Sequence, residues 1–545
     1  MNPDPSGGRG RPRERWLLAL LLLGEFLLFD QFGSHRHTWI WPRWNDQIQY
    51  LTESYTGYEY LRIHGWFAGL WHSLINPSAQ GTLHDFYAIL LFSVTGPSRS
   101  AALAVNMLAL IAWQVSLFLA VRRVSSSRTL AWVAVFLPLA LRYPFSSQPG
   151  SMADFRLDHL AMCTFGICLS CALVASGVRQ ARTALLFGLA VGLTLLTRFL
   201  TGTYFLLIFA GFLAAAPFSP GRGKRCGHLL LAAAVAAVVA GPVFWLNRDW
   251  IWNYYVIGHF IGPESALRNP HMGLGRSLDF VGSHLAREQL GTFFFLLAGG
   301  ATAGLVLWAW RRRASPDATP PAPGARFPVG PGLAFLAAPA IALTLHQQKS
   351  EVVLGVLVPG VLALLLALWS RLLAGCGEIP GRWLAGGVAL LAGGFFVFQQ
   401  FTPAYDENFL RQARLVNQLA DEIYRKSLAA GLAAPSVGVD QVTDYFDAQV
   451  LRVICYERQH RWVPFIMTLP TGIAESEEKV LMERVQNSDF IFLTESGPPG
   501  GWPYDRQMRA LLPRTKAWCD DHLRVAERFE IFDRRMVLYQ RPNLP

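Results

Sequence analysis

The chain reads as a series of long apolar runs separated by short polar segments. Stretches such as Trp16 to Phe29, Ala101 to Val121 and Leu229 to Leu246 reach or approach the length that crosses a hydrocarbon core of about 30 Å. Followed to its end, the pattern predicts about eleven transmembrane helices, at 16–33, 100–121, 129–143, 159–177, 183–197, 200–217, 228–246, 290–310, 329–345, 352–370 and 383–400. The runs at 183–197 and 200–217 are short and Arg198 lies between them, so they read either as two crossings or as a broken, re-entrant hairpin. After Gln400 charged residues become frequent, and the pattern alternates between amphipathic helix and short β-type runs. It predicts helices at 406–430, 446–458, 474–486 and 504–522, and strands at 436–441, 461–467, 489–494, 525–531 and 535–540. Such alternation predicts a small α/β sandwich with a largely parallel sheet. The fold class expected is therefore a polytopic α-helical membrane protein with a C-terminal soluble α/β domain, divided at 1–400 and 401–545.

Composition agrees with a membrane protein: of 545 residues 52% are hydrophobic and only 16% charged, too apolar for an ordinary soluble multidomain chain. The net charge of +11 would point to nucleic acid if it lay along one face, but the basic residues collect at 9–15, 122–128, 179–182, 222–225 and 311–313. They fall at alternate ends of successive apolar runs and so mark topology, with no nucleic-acid partner. This places the N-terminus in the cytoplasm and the C-terminal domain outside it, in a multi-pass plasma (inner) membrane protein. Met1 to Arg15 has the charge of a signal-peptide n-region, yet no small-residue cleavage site follows and Glu25 and Asp30 interrupt the run. An uncleaved first helix is expected, its acids paired against other helices. Cys163, Cys168, Cys171, Cys226 and Cys376 read as packing residues, whereas Cys455 and Cys519 share the outer domain, and a disulfide between them is left open.

On this topology the external loops are 34–99, 144–158, 247–289 and 346–351. The first is rich in aromatics, with Trp39, Trp41, Trp44, Tyr50, Tyr55, Trp66 and Trp71, as expected of a pair of helices at the lipid headgroup level, a sugar platform being the alternative reading. Segment 247–290 has the length of a lid, and 314–329 is a Pro/Ala-rich linker. No phosphate-binding loop follows the strand at 436–441, and the Gly/Pro cluster at 497–501 is a turn. His64, His72 and His84 lack ligand spacing, so no histidine metal site is expected.

Four polar motifs fall on the external side. Trp44-Asn45-Asp46-Gln47 sets a carboxylate just past the outer end of the first span; Asp154-Phe155-Arg156-Leu157-Asp158-His159 enters the fourth. Thr197-Arg198-Phe199 lies at the hairpin, and His346-Gln347-Gln348-Lys349-Ser350 between two late spans. Each is weak alone. Their order and shared face over most of residues 1–400 resemble the GT-C superfamily of integral-membrane glycosyltransferases, in particular relatives of the protein O-mannosyltransferases and of the lipid A aminoarabinose transferase. The resemblance implies a GT-C-like transmembrane domain that transfers a sugar from a polyprenyl-phosphate donor, undecaprenyl- or dolichyl-linked, to an acceptor hydroxyl on a lipid, polysaccharide or protein at the extracytoplasmic face. In those families an Asp or Asp-Glu motif opens the first external loop and serves the reaction centre. This chain has Asn45-Asp46-Gln47 where many members have Asp-Glu, which leaves a divalent ion open; no other cofactor is implied.

The chemistry assigns roles to these residues. A polyprenyl phosphate is already a good leaving group, so the need is for a base that takes the proton from the acceptor hydroxyl as it attacks the anomeric carbon, with inversion. Asp46 is the expected general base, a solvated loop acid being the alternative. Asp158 and Asp154 are further catalytic or acceptor-binding acids, or else partners of Arg156 in a local ion pair, and Asp158 sits where a helix N-terminus favours an acid. Arg198 and Lys349 are expected to stabilise the departing phosphate, assisted by His346 and Arg156; the alternatives are snorkelling for Arg198 and headgroup anchoring for Lys349. Two other classes compete. A transporter or flippase is opposed by the lack of an internal repeat and by acids placed in loops rather than at mid-membrane. A non-catalytic scaffold or sensor presenting the C-terminal domain predicts no effect of Asp46→Asn.

Overall fold

The computed structural model describes residues 10–42, 45–125, 127–175, 180–218, 221–262, 272–313, 327–376, 378–440, 447–469, 478–496, 506–531 and 534–544. Trp44, the centre of the expected lid, most of the 314–329 linker and the turn at 497–501 lie outside them. Each apolar run of the sequence is helical. Among the described residues eight helices are long and apolar enough to cross a membrane: Pro12–Thr38, Arg99–Ser125, Leu157–Val174, Thr201–Phe218, Arg222–Leu246, Leu274–Arg311, Glu351–Ala374 and Ile379–Phe401. Shorter apolar helices occupy Leu83–Thr95, Arg128–Ala140, Ala181–Thr197 and Val329–Leu345. The last three complete the eleven expected runs. Leu83–Thr95 is an extra helix within the first loop, which therefore holds three helices rather than a pair, with Asn45–His64 and Trp66–Ile75. Its 13 residues fall well short of the roughly 20 that announce a crossing.

The chain divides into two units, one of Met1–Ser34, Trp66–Leu90 and Leu103–Thr402, the other of His35–Gly65, Leu91–Ala102 and Pro403–Pro545. In the first, Leu157–Val174 is the most enclosed long helix and packs on Ala181–Thr197, Val329–Leu345, Glu351–Leu357 and Val358–Cys376. Phe165 on that helix meets Phe335 at 4.7 Å and Phe205 at 5.3 Å, joining three helices through one aromatic cluster. Glu25, buried, accepts from the Gln114 amide at 3.0 Å, and the same amide donates to the Val135 carbonyl. This is the inter-helix pairing expected of an acid in an apolar run. Asp30 instead accepts from its neighbour Gln31 at 2.9 Å.

The second unit carries a five-stranded sheet, with β1 (Ser436–Val439), β2 (Ile466–Met467), β3 (Phe490–Ser496), β4 (Arg524–Ile531) and β5 (Arg534–Gln540) in the order β2-β1-β3-β5-β4. The β2-β1-β3 pairings are parallel; β5 runs antiparallel to β3 and to β4. The sheet is thus mixed, because β4 and β5 follow each other without the crossover of a dozen or more residues that parallel pairing requires. One core cluster gathers Leu469, Leu481, Val485, Ile491, Leu493, Cys519, Val537 and Tyr539. Cys519 is sealed in that cluster, while the Cys455 thiol faces the Ala420 carbonyl at 3.7 Å. Both are free, so the possible disulfide is not formed, and burial pushes each thiol up to about 12.

The aromatic stretch of the first loop is also corrected in part. Trp41, Tyr50 and Tyr55 are core residues of the second unit, while Trp39 is exposed. Trp41 stacks on Phe409 at 5.5 Å, and Tyr55 stacks on Phe92 and touches Tyr456. The Tyr55 hydroxyl donates to Glu457, which also pairs with Arg99 at 3.1 Å, and the Tyr456 hydroxyl donates to Glu59. A buried phenol needs such a partner, and that demand ties Asn45–His64 to the Ala448–Gln459 helix.

Candidate active site

The site of the first unit starts at the entry to Leu157–Val174. Gly150 takes a left-handed backbone (φ +78°), and a side chain there would crowd Val352 at 3.1 Å and Asp158 at 3.3 Å. This turn lets the Gly150 N–H donate to the Asp154 carboxylate at 2.6 Å. Asp154 also pairs with Arg156 at 2.9 Å, and Asn106 donates to the Met152 and Asp154 carbonyls from below. The Tyr143 hydroxyl donates to Pro149. Asp154 and Arg156 therefore form the local ion pair that fixes this loop. Asp158 takes a different partner.

That partner is Arg198. The Ala181–Thr197 helix stops there in extended backbone, and a new helix begins at Thr201, whose hydroxyl donates to the Arg198 carbonyl at 2.7 Å. The freed guanidinium reaches Asp158 at 2.5 Å, with both side chains nearly enclosed. The break is held from outside by the 78–82 segment, where Phe199 donates to Gln80 at 2.7 Å and Thr82 to Leu196 at 2.9 Å. Gly81 allows this: a Cβ there would lie 2.1 Å from the Thr197 carbonyl oxygen. The same segment is fastened on its far side by Asn247, which accepts from the Ser78 N–H, and by Tyr254, which accepts from Gln80.

Tyr254 belongs to Trp252–Ile261, a π-helical stretch, a geometry common at functional sites. Tyr255 and Tyr204 are buried phenols facing the Asp158–Arg198 pair. Burial pushes the Tyr255 phenol up, against the pull of Arg198. The Tyr204 hydroxyl has no hydrogen-bond partner among the described residues. Further along, His259 contacts Tyr254 at 4.7 Å and His346 at 5.3 Å, which brings the 346–351 loop into the same region. Burial lowers the His346 imidazole, keeping it neutral at neutral pH. The Lys349 ammonium donates to the carbonyls of Leu343, Thr344 and His346 at 2.9, 2.8 and 2.5 Å, closing the end of Val329–Leu345; burial lowers its pKa. Cations suit a helix C-terminus.

Six of the seven sequence-predicted residues thus lie in the first unit, as two ion pairs and one loop joined through Gly150, Val352, Tyr143, Tyr255 and His259. The seventh, Asp46, lies in the second unit, half-buried in the first turn of Asn45–His64. Sequence reasoning missed Tyr204, a phenol in an apolar run whose only signal is its place three residues into the helix after the Arg198 break. Among the described residues no three His, Cys, Asp or Glu side chains gather as a metal site.

No protein-family model matches this chain, and no curated protein matches it by sequence. Solved structures do. The chain is similar to the lipid A aminoarabinose transferase ArnT from Cupriavidus metallidurans bound to undecaprenyl phosphate, at 15% identity and TM-score 0.58, covering 96% of this chain and 97% of that one. The apo state of that protein matches at 15% identity and TM-score 0.59, covering 97% and 98%. The archaeal oligosaccharyltransferase AglB from Archaeoglobus fulgidus, in complex with an inhibitory peptide and a dolichol-phosphate, matches at 13% identity and TM-score 0.47, covering 88% and 69%. Over nearly its whole length this chain has the fold of ArnT.

Proposed function

We propose that this chain is an inverting membrane glycosyltransferase, which moves a sugar from a polyprenyl-phosphate donor to an acceptor hydroxyl on the extracytoplasmic face. The observation that supports it most is the fold shared end to end with a protein seen bound to undecaprenyl phosphate. In this reading Arg198 is the principal cation for the donor phosphate. Asp158 orients its guanidinium toward the donor phosphate, a charge-assisted contact that strengthens as negative charge builds on the leaving group. Asp154 and Arg156 act by holding the loop that carries Asp158. Lys349 adds positive potential from the helix end it closes, and His346, being neutral, contributes a hydrogen bond rather than charge. Tyr204 supplies a second neutral hydrogen-bonding group.

Asp46 is the proposed general base. Asp158 is engaged by the Arg198 guanidinium at 2.5 Å and is read as the residue that positions that cation, which leaves Asp46 as the candidate for proton removal. The displacement forms the bond between the acceptor oxygen and the anomeric carbon, breaks the bond from that carbon to the phosphate oxygen, and passes the hydroxyl proton to Asp46. Loss of a general base lowers turnover by roughly 10²–10⁴-fold. Purified Asp46→Asn is accordingly expected to lose transfer from an undecaprenyl-phosphate sugar to that extent while eluting and melting as the parent does. Full turnover in the variant would move the base elsewhere, and the absence of transfer by the parent with any polyprenyl-phosphate sugar would count against the whole reading.

A further inference from the structure

A cavity lies away from these ion pairs, between Arg99–Ser125, Leu157–Val174 and Ala181–Thr197, with a volume of about 500 Å³, within the size range of small-molecule sites. Its walls are apolar, with Leu119, Ala120, Val174 and Leu186. The two serines that face it, Ser116 and Ser170, spend their hydroxyls on their own helices, donating to Trp113 and Gly166 at 2.8 and 2.9 Å. The mouth is basic. Arg122 and Arg123 line it, and exposed Arg182 adjoins the lining residue Thr183. Arg122 is committed to Glu14 at 2.7 Å, so among the described residues Arg123 and Arg182 carry the charge that no ion pair offsets. An apolar slot between spanning helices with cations at one end matches an amphiphile whose tail is hydrocarbon and whose head is an anion.

We propose that this cavity holds one phospholipid with an anionic headgroup, an acyl chain lying along Leu119, Val174 and Leu186 and the phosphate facing Arg123 and Arg182. It is a site for a resident lipid, separate from the donor site above, and does not depend on the transfer reaction. A zwitterionic lipid offers the same chains but cancels the charge match, so headgroup selectivity is the property that distinguishes a built site from annular lipid.

The test is native mass spectrometry of the full chain released from nanodiscs of phosphatidylcholine mixed with phosphatidylglycerol. The parent is expected to retain one phosphatidylglycerol in preference to phosphatidylcholine. Arg123→Glu, which reverses the charge at the mouth, and Cys171→Trp, which fills the cavity from its lining, are each expected to lose that lipid, while Arg371→Glu, an exposed arginine outside the cavity, keeps it. Should Cys171→Trp fail to fold, Thr183→Phe fills the same space from the opposite wall. Equal retention of the two lipids by the parent, or unchanged phosphatidylglycerol retention in either the charge-reversed or the filled variant, overturns the proposal.

Discussion

Arg198 and Asp158 answer each other across a helix break, and a pair so enclosed responds badly to a one-sided change. Removing one partner of a buried pair leaves an uncompensated charge and costs about 3–5 kcal/mol. Arg198→Gln is therefore expected to lower the melting temperature strongly, and Asp158→Asn added to it to recover much of the loss, which a double-mutant cycle by thermal unfolding measures. Additive losses would show that the two side chains do not depend on each other. The sequence shows an arginine that interrupts an apolar run at this position, but its pairing with Asp158 requires contact between residues 40 apart in the chain. Gly150→Ala makes a second case at this scale: a left-handed backbone costs a residue with a Cβ about 1–2 kcal/mol, before the crowding against Val352 and Asp158. The variant is expected to melt lower than the parent; an unchanged melting temperature would show that the loop entering Leu157–Val174 is not fixed by this turn.

At the scale of elements, the apolar runs and the alternation after Gln400 were legible to within a few residues, since hydropathy and periodicity are local. Pairing was not. Whether β5 lies parallel or antiparallel to β3 depends on what connects them, and Phe409 and Tyr456, which meet Trp41 and Tyr55, lie hundreds of residues away, so an aromatic stretch that reads as an interfacial belt supplies core residues. The charges at Arg198 and Lys349 were legible as unusual for their surroundings, whereas the three carbonyls that hold Lys349 were not. A pH prediction also belongs here. Asp447 caps the Ala448–Gln459 helix, accepting from Gln449 and Val450 at 2.8 and 3.0 Å, and burial raises its carboxyl to about 6. A carboxyl raised on folding binds its proton more tightly in the native state, so its contribution is complete below the unfolded value near 3.8 and fades as pH rises through about 6. Amide exchange in that helix, corrected for intrinsic rates, is expected to lose protection between pH 4 and 6.5 in the parent and to stay level in Asp447→Asn, which keeps a capping side chain; identical profiles would contradict the shift.

At the scale of the whole molecule, a helical bundle supplies cations in a largely enclosed site while a soluble α/β unit incorporates the first-loop segment that bears Asp46. The account stands on the bundle binding a polyprenyl monophosphate through Arg198 and its neighbours. The most direct test is titration of the purified chain with undecaprenyl phosphate, and with undecaprenol as the uncharged control, in the parent, in Lys349→Ala and in the Asp158→Asn/Arg198→Gln pair. Saturable binding of the phosphate alone, weakened in both variants while each remains folded, is the predicted result. Equal binding of phosphate and alcohol, or affinity unchanged in the paired variant, would contradict it.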